Sequence, residues 1–225
     1  MTHQLSNFSG VAFIAVFLSL AAVAAFFMVF IIIVVANRAE PDPRGLRPFS
    51  AYLFGMSFVT LYVGYSGAVV IVTSLLSFIG PHASPIANSV ARNVVIGGIL
   101  IFIGGGALRF HLSKGMKIAE GDGPVDGPNR RVQSTYVAAV TFVFTGVAII
   151  TFGLAIYLVF QLIGPGIFGT LGRTKTDTVR TLLDVLYVML ASVAIVVAHS
   201  RLAPSALRML GSGGTGATAP AGGAE

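Results

Sequence analysis

Cysteine and tryptophan are both absent from this 225-residue chain, and charge is scarce. Without cysteine there are no disulfides, no zinc–thiolate or iron–sulfur ligation and no thiol nucleophile. Without tryptophan, an aromatic belt at a membrane interface has to come from 6 Tyr and 17 Phe. Charged residues make up 10% of the chain, against about 25% in a soluble globular domain. A rich core does not account for that deficit. The surface itself has to be apolar and face lipid, in keeping with a mean hydropathy of +0.89.

What is present is five apolar runs, each long enough for the about 20 residues that cross a bilayer. They are Val11–Ala36, Phe49–Ile79, Asn93–His111, Ser134–Ile163 and Val179–His199. Lipid offers no partner to unpaired backbone, and no even set of short alternating segments suggests a barrel. The sequence therefore predicts an all-α integral membrane fold with five transmembrane helices. The first run lacks a basic flank and is longer than the about 7–15 residues of a signal-peptide core, so it reads as a true span. The chain divides into a leading helix (1–36), a first helical hairpin (37–112), a cytoplasmic loop (113–130), a second hairpin (131–201) and a Gly/Ala-rich tail (202–225) expected to be disordered.

The net charge is +6. Its Lys and Arg sit between apolar spans, where they orient the protein and meet lipid headgroups rather than nucleic acid. Ten of the 14 fall on one side: Arg38, Arg44, Arg47, Arg109, Lys114, Lys117, Arg130, Arg131, Arg201 and Arg208. Arg92, Arg173, Lys175 and Arg180 fall on the other. The positive-inside rule then puts the N-terminus outside and the C-terminus in the cytoplasm.

The two hairpins read as a duplication. Compared at an offset of 84, Arg47–Pro81 and Arg131–Pro165 agree at nine of 35 positions without a gap. The matches include boundary residues as well as apolar ones: Arg47/Arg131, Tyr52/Tyr136 and the Ile-Gly-Pro ending at Pro81 and Pro165. After four extra residues Arg92 aligns with Arg180 and His111 with His199. Each Arg and His are 19 residues apart, about 28 Å of helix and close to one bilayer core. Both hairpins keep one orientation, so the repeat is parallel, unlike the inverted repeats of many transporters.

An Arg-x4-Tyr start, a long apolar helix and a second helix ending in His followed by basic residues resembles a bacterial family of multi-pass membrane proteins known only as a domain of unknown function. The resemblance covers about Arg47–Arg201 and leaves out the first span. This chain lacks the Trp that the family carries after the residues matching His111 and His199. The resemblance implies a multi-pass protein of the bacterial cytoplasmic (inner) membrane and implies no activity.

Three sets of residues are candidates for function. His111 and His199 end two helices at one depth, where they serve as interfacial side chains or, on facing helices, as ligands to a b-type haem with Arg109 and Arg201 near its propionates. Asp184 is the acidic residue well inside a span, with Arg180 one turn earlier. The two form a structural ion pair or an ion or proton site. Gly97, Gly98, Gly104 and Gly105 recur at seven-residue spacing and mark a helix-packing face. Tyr52 and Tyr136 are expected in the interfacial belt. Asp122 and Asp126 lack calcium-loop spacing and read as solvated turn residues. No catalytic set and no metal site is expected.

Two functional classes compete. One is a non-catalytic structural or accessory subunit, partnered by other membrane subunits or by itself, with bound lipids. The other is a small oligomeric transporter or channel using Asp184. A b-haem electron-transfer subunit is a third.

Overall fold

In the computed structural model, which describes residues 41–79, 87–122, 127–169 and 174–202, every regular element is a helix. Four helices are long and apolar enough to cross a membrane. They are α1 (Arg47–Leu76), α2 (Ala87–Glu120), α3 (Pro128–Ile163) and α5 (Lys175–Ser200), with a four-residue α4 (Pro165–Phe168) between the last two. The expected span Val11–Ala36 and most of the tail lie outside the described residues.

Local chemistry sets the helix ends. α1 and α3 each have Pro in their first two positions, where the missing N–H costs nothing. Each is also capped by an aspartate from the preceding segment. Asp42 Oδ2 accepts from the Arg47 N–H at 2.8 Å, and Asp122 Oδ2 from the Asn129 N–H at 2.6 Å. α5 opens with a capping box between Thr174 and Asp177. α3 stops at Gly164-Pro165, as Pro requires. These signals carry the helices past the apolar runs. α2 continues to Glu120, beyond the expected end at His111, and α3 begins at Pro128, ahead of Ser134. Much of segment 113–130 is thus helical rather than loop, because hydropathy marks where lipid ends while caps and Pro mark where a helix ends. With 34 residues in α2, or about 51 Å, the helix outreaches a hydrocarbon core of about 30 Å.

α1 pairs with α2 and α3 with α5, while α1 also touches α3 and α5, and α2 touches α3. The long helices α1 and α3 are therefore central. They run in the same direction, since Phe54 meets Tyr136 at 5.3 Å and Tyr65 meets Phe144 at 5.1 Å between ring centroids. The core is their shared face, with Phe54, Phe58, Val140 and Phe144 buried. α2 and α5 flank it. The lipid-level faces outside are apolar, as at Phe102, which is 83% exposed.

Candidate functional site

One end of the bundle gathers the starts of α1 and α3, the ends of α2 and α5, and most of the described Lys and Arg. Here two Tyr–His pairs form. Tyr52 meets His111 edge to face at 6.0 Å, and Tyr136 meets His199 at 5.8 Å. In both, His Nδ1 lies against the carbonyl one turn back, Ala107 O at 2.8 Å and Ile195 O at 3.0 Å. A carbonyl only accepts, so each Nδ1 carries a proton. In the second pair the Tyr136 hydroxyl donates to His199 Nε2 at 3.1 Å. The first pair makes no such bond. Tyr136 is 5% exposed, covered by Phe54, whereas Tyr52 is 52% exposed. Tyr136 is thus a core residue and Tyr52 a surface one. Both nitrogens of His199 are engaged, so ligation of haem by His111 and His199 requires Tyr136 to release Nε2. α2 and α5 make no packing contact with each other among the described residues.

The same end holds a polar hub that the sequence reading missed. Asp122, expected as a solvated turn residue, has its side chain 3% exposed. It accepts from the Asn129 backbone and side chain at 2.6 and 2.8 Å and from Arg44 at 3.3 Å. Asp122 thereby ties the segment before α1 to the turn between α2 and α3. Gly127 makes room for it, since a Cβ there would lie 2.5 Å from Asp122 Cβ. Gln133 Nε2 donates to Leu202 O at 2.8 Å, holding the end of α5. The Arg47 N–H beside Asp42 holds that carboxyl below the ordinary aspartate value of 3.8.

At mid-depth α1 and α2 meet backbone to backbone through glycine. A Cβ on Gly104 would stand 2.5 Å from Gly64 N, and one on Gly97 would stand 2.7 Å from Gly67 O. Gly98 and Gly105 face nothing within 4 Å. Of the four expected packing glycines, two make the seam and two point away. Adjacent helical residues are about 100° apart, so neighbours cannot share one contact. α5 is tied to α1 by Tyr65. Ser192 Oγ donates to Val188 O at 2.8 Å and accepts from the Tyr65 hydroxyl at 3.0 Å. Between α3 and α5 lies an open apolar groove of about 280 Å³, lined by residues that include Thr145, Ala148, Phe152 and Met189.

Toward the other end, Asp184 carries a buried Oδ1 with no hydrogen-bond partner. Arg180 acts on it by its charge, but the expected ion pair is not made within 4 Å. Asp184 lies 15 residues from His199 on the same helix, about 22 Å away. Gln161 on α3 is 3% exposed, and its Oε1 also lacks a partner. Its Nε2 donates to the Tyr157 hydroxyl oxygen at 3.1 Å. Sequence reasoning passed over Gln161, whose signal was an amide near the end of an apolar helix. Among the described residues, no three His, Cys, Asp or Glu side chains converge as metal ligands. No family model, no curated protein and no solved structure matches the chain.

Proposed function

We propose that this chain is a non-catalytic structural or accessory subunit of a larger membrane assembly. The observation that carries the reading is the set of uncovered glycines. Gly98, Gly105 and Gly106 on α2, and Gly146 and Gly153 on α3, have nothing within 4 Å. Glycines in the same helices show what such positions do when a helix is opposite: Gly97 and Gly104 bring two backbones into contact. In lipid, close packing rather than hydrophobicity drives helix association. The open glycines are the same device aimed at another chain. The proposal includes a leading fifth span, a parallel repeat of the two hairpins, and a bacterial cytoplasmic membrane with the Arg-rich end inside. The matched Tyr–His pairs support the repeat, and the distribution of Lys and Arg supports the orientation.

Mild-detergent purification of the native protein with mass spectrometry tests this reading. Stoichiometric partner subunits are expected, and Gly105→Leu should reduce their recovery while leaving the far-ultraviolet helix signal unchanged. A protein that runs alone or only as a homo-oligomer overturns the subunit reading. The second reading, a small oligomeric transporter, is favoured by the unpaired oxygen of Asp184. It predicts flux in vesicles that Asp184→Asn abolishes.

A further inference from the structure

The two helices of the second hairpin leave a space that neither fills. The groove between them has Ile149 and Phe152 of α3 on one wall and Met189 and Val193 of α5 on the other. Thr145 carries the one hydroxyl in its lining. Positions 145–152 straddle the middle of the apolar run Ser134–Ile163, so the groove lies at mid-depth. Atoms that line such a space lack dispersion partners on one side, and in lipid it is packing that holds helices together.

The described residues begin at Pro41, and the chain before them carries the apolar run Val11–Ala36. The structure fixes where that run joins the bundle. Asp42 caps α1 through the Arg47 N–H at 2.8 Å, and Arg44 reaches Asp122 at 3.3 Å. Asp122 in turn accepts from the Asn129 N–H at the start of α3. The run is therefore tethered at the end of the bundle where α3 begins. Ala36 lies six residues before Asp42, a reach of about 20 Å when extended, whereas a helix is about 10–12 Å across. That is enough to pass round α3 to the groove. Back from Ala36, the 26 residues to Val11 make about 39 Å of helix, and their midpoint near Val23 falls level with the groove. The run matches the groove in chemistry as well. It has no charged residue, and Ser19 is its one polar side chain. Its middle is Ala21-Ala22-Val23-Ala24-Ala25, small residues that let a backbone come close to both walls.

We propose that the leading run Val11–Ala36 is seated in the α3–α5 groove as a third helix, antiparallel to α3. This rests on the leading fifth span of the reading above, and not on whether the protein has partner subunits. The glycines assigned to a partner stay open. Gly146 and Gly153 are one residue on from Thr145 and Phe152, and so are turned about 100° round α3 from the groove wall.

The chain has no cysteine, so cysteine pairs report directly on this packing. Ala22→Cys, Val23→Cys, Ala24→Cys and Ala25→Cys together cover one helical turn. Each is combined with Ile149→Cys in the full chain and oxidised in native membranes. A disulfide forms only where the two Cβ atoms approach to about 4 Å. Expected is a link within the monomer at one or two of the four positions, identified by mass spectrometry of the joined peptides. Phe102→Cys, on the exposed face of α2 at the middle of its span, should link to none of them. A link to position 102 instead overturns the proposal. A link at position 149 that joins two chains overturns it too, and gives the groove to a second copy. Water-soluble maleimide added to the four single variants separates the remaining failures. No link, with all four positions shielded from the maleimide, means that the run spans elsewhere and overturns this inference alone. Labelling of all four removes the leading span itself, and with it that part of the reading above.

Discussion

The glycine seam between α1 and α2 makes a paired prediction in which one substitution is the control for its neighbour. In Gly104→Ala the new Cβ would stand 2.5 Å from Gly64 N and 2.8 Å from Thr60 O, both backbone atoms that no rotamer change can move. Ordinary contact is about 3.5–4 Å, so the helices have to separate locally by about 1 Å. A gap of that size forfeits roughly a quarter to a half of each dispersion well of about 0.15 kcal/mol. Spread over about twenty atom pairs along the seam, the loss is about 1 kcal/mol, at the lower edge of the about 1–3 kcal/mol typical of overpacking. In Gly105→Ala the Cβ meets nothing within 4 Å, and the change should stay within about 0.5 kcal/mol. Equilibrium unfolding in mixed micelles, followed by circular dichroism as the denaturing detergent fraction rises, measures the difference. Equal effects at the two positions would refute the assigned face of α2.

Three further outcomes concern the end of the bundle where α1 and α3 begin. Tyr136→Phe leaves His199 Nε2 buried without its donor and should cost about 1–3 kcal/mol, whereas Tyr52→Phe, which loses no such bond, should be near neutral; the same unfolding assay compares them. Asp122→Ala removes the acceptor for the Asn129 N–H and side chain and for Arg44, and should cost about 1–2 kcal/mol by loss of a cap, with faster amide exchange in the first turn of α3. Asp42 has its folded-state carboxyl held below 3.8 by the Arg47 N–H, so its contribution is present above that value and is lost as pH falls through the lower folded value. Hydrogen exchange at the start of α1 should accelerate in that acid window in the unmodified chain, and Asp42→Asn should remove the pH dependence.

Composition made the helical, membrane-spanning class legible, because lipid leaves the backbone one way to satisfy itself in a single segment. Asp184 was legible for a related reason: one carboxylate in an apolar run has no innocuous place. What hydropathy cannot encode is rotation about the helix axis. Phe49–Ile79 and Ser134–Ile163 are apolar all round, so nothing in the pattern distinguishes the buried Tyr136 from the exposed Tyr52. The face is fixed only when α1 lays Phe54 over one and not the other. Asp122 was misread because a turn-forming sequence says nothing of what the turn folds onto, here Asn129 and Arg44. The glycine error was avoidable, since positions 97 and 98 diverge by about 100° on any helix.

Differing side chains explain why the two hairpins are built unequally. With Arg47 aligned on Arg131 and His111 on His199, Gly64 and Gly104 of the first hairpin fall opposite Ala148 and Ser192 of the second, and Gly97 opposite Val185. Where the first has glycine, α1 and α2 close to backbone contact. Where the second has larger residues, α3 and α5 leave an open apolar groove beside Ala148. Ser192 replaces a contact glycine with a hydroxyl, and that hydroxyl receives Tyr65 from the first hairpin. Likewise Ile96, exposed on α2, corresponds to Asp184, placing the intramembrane carboxylate only in the looser hairpin. The first hairpin thus closes on a glycine seam, and the second keeps an open groove and a carboxylate oxygen without a hydrogen-bond partner.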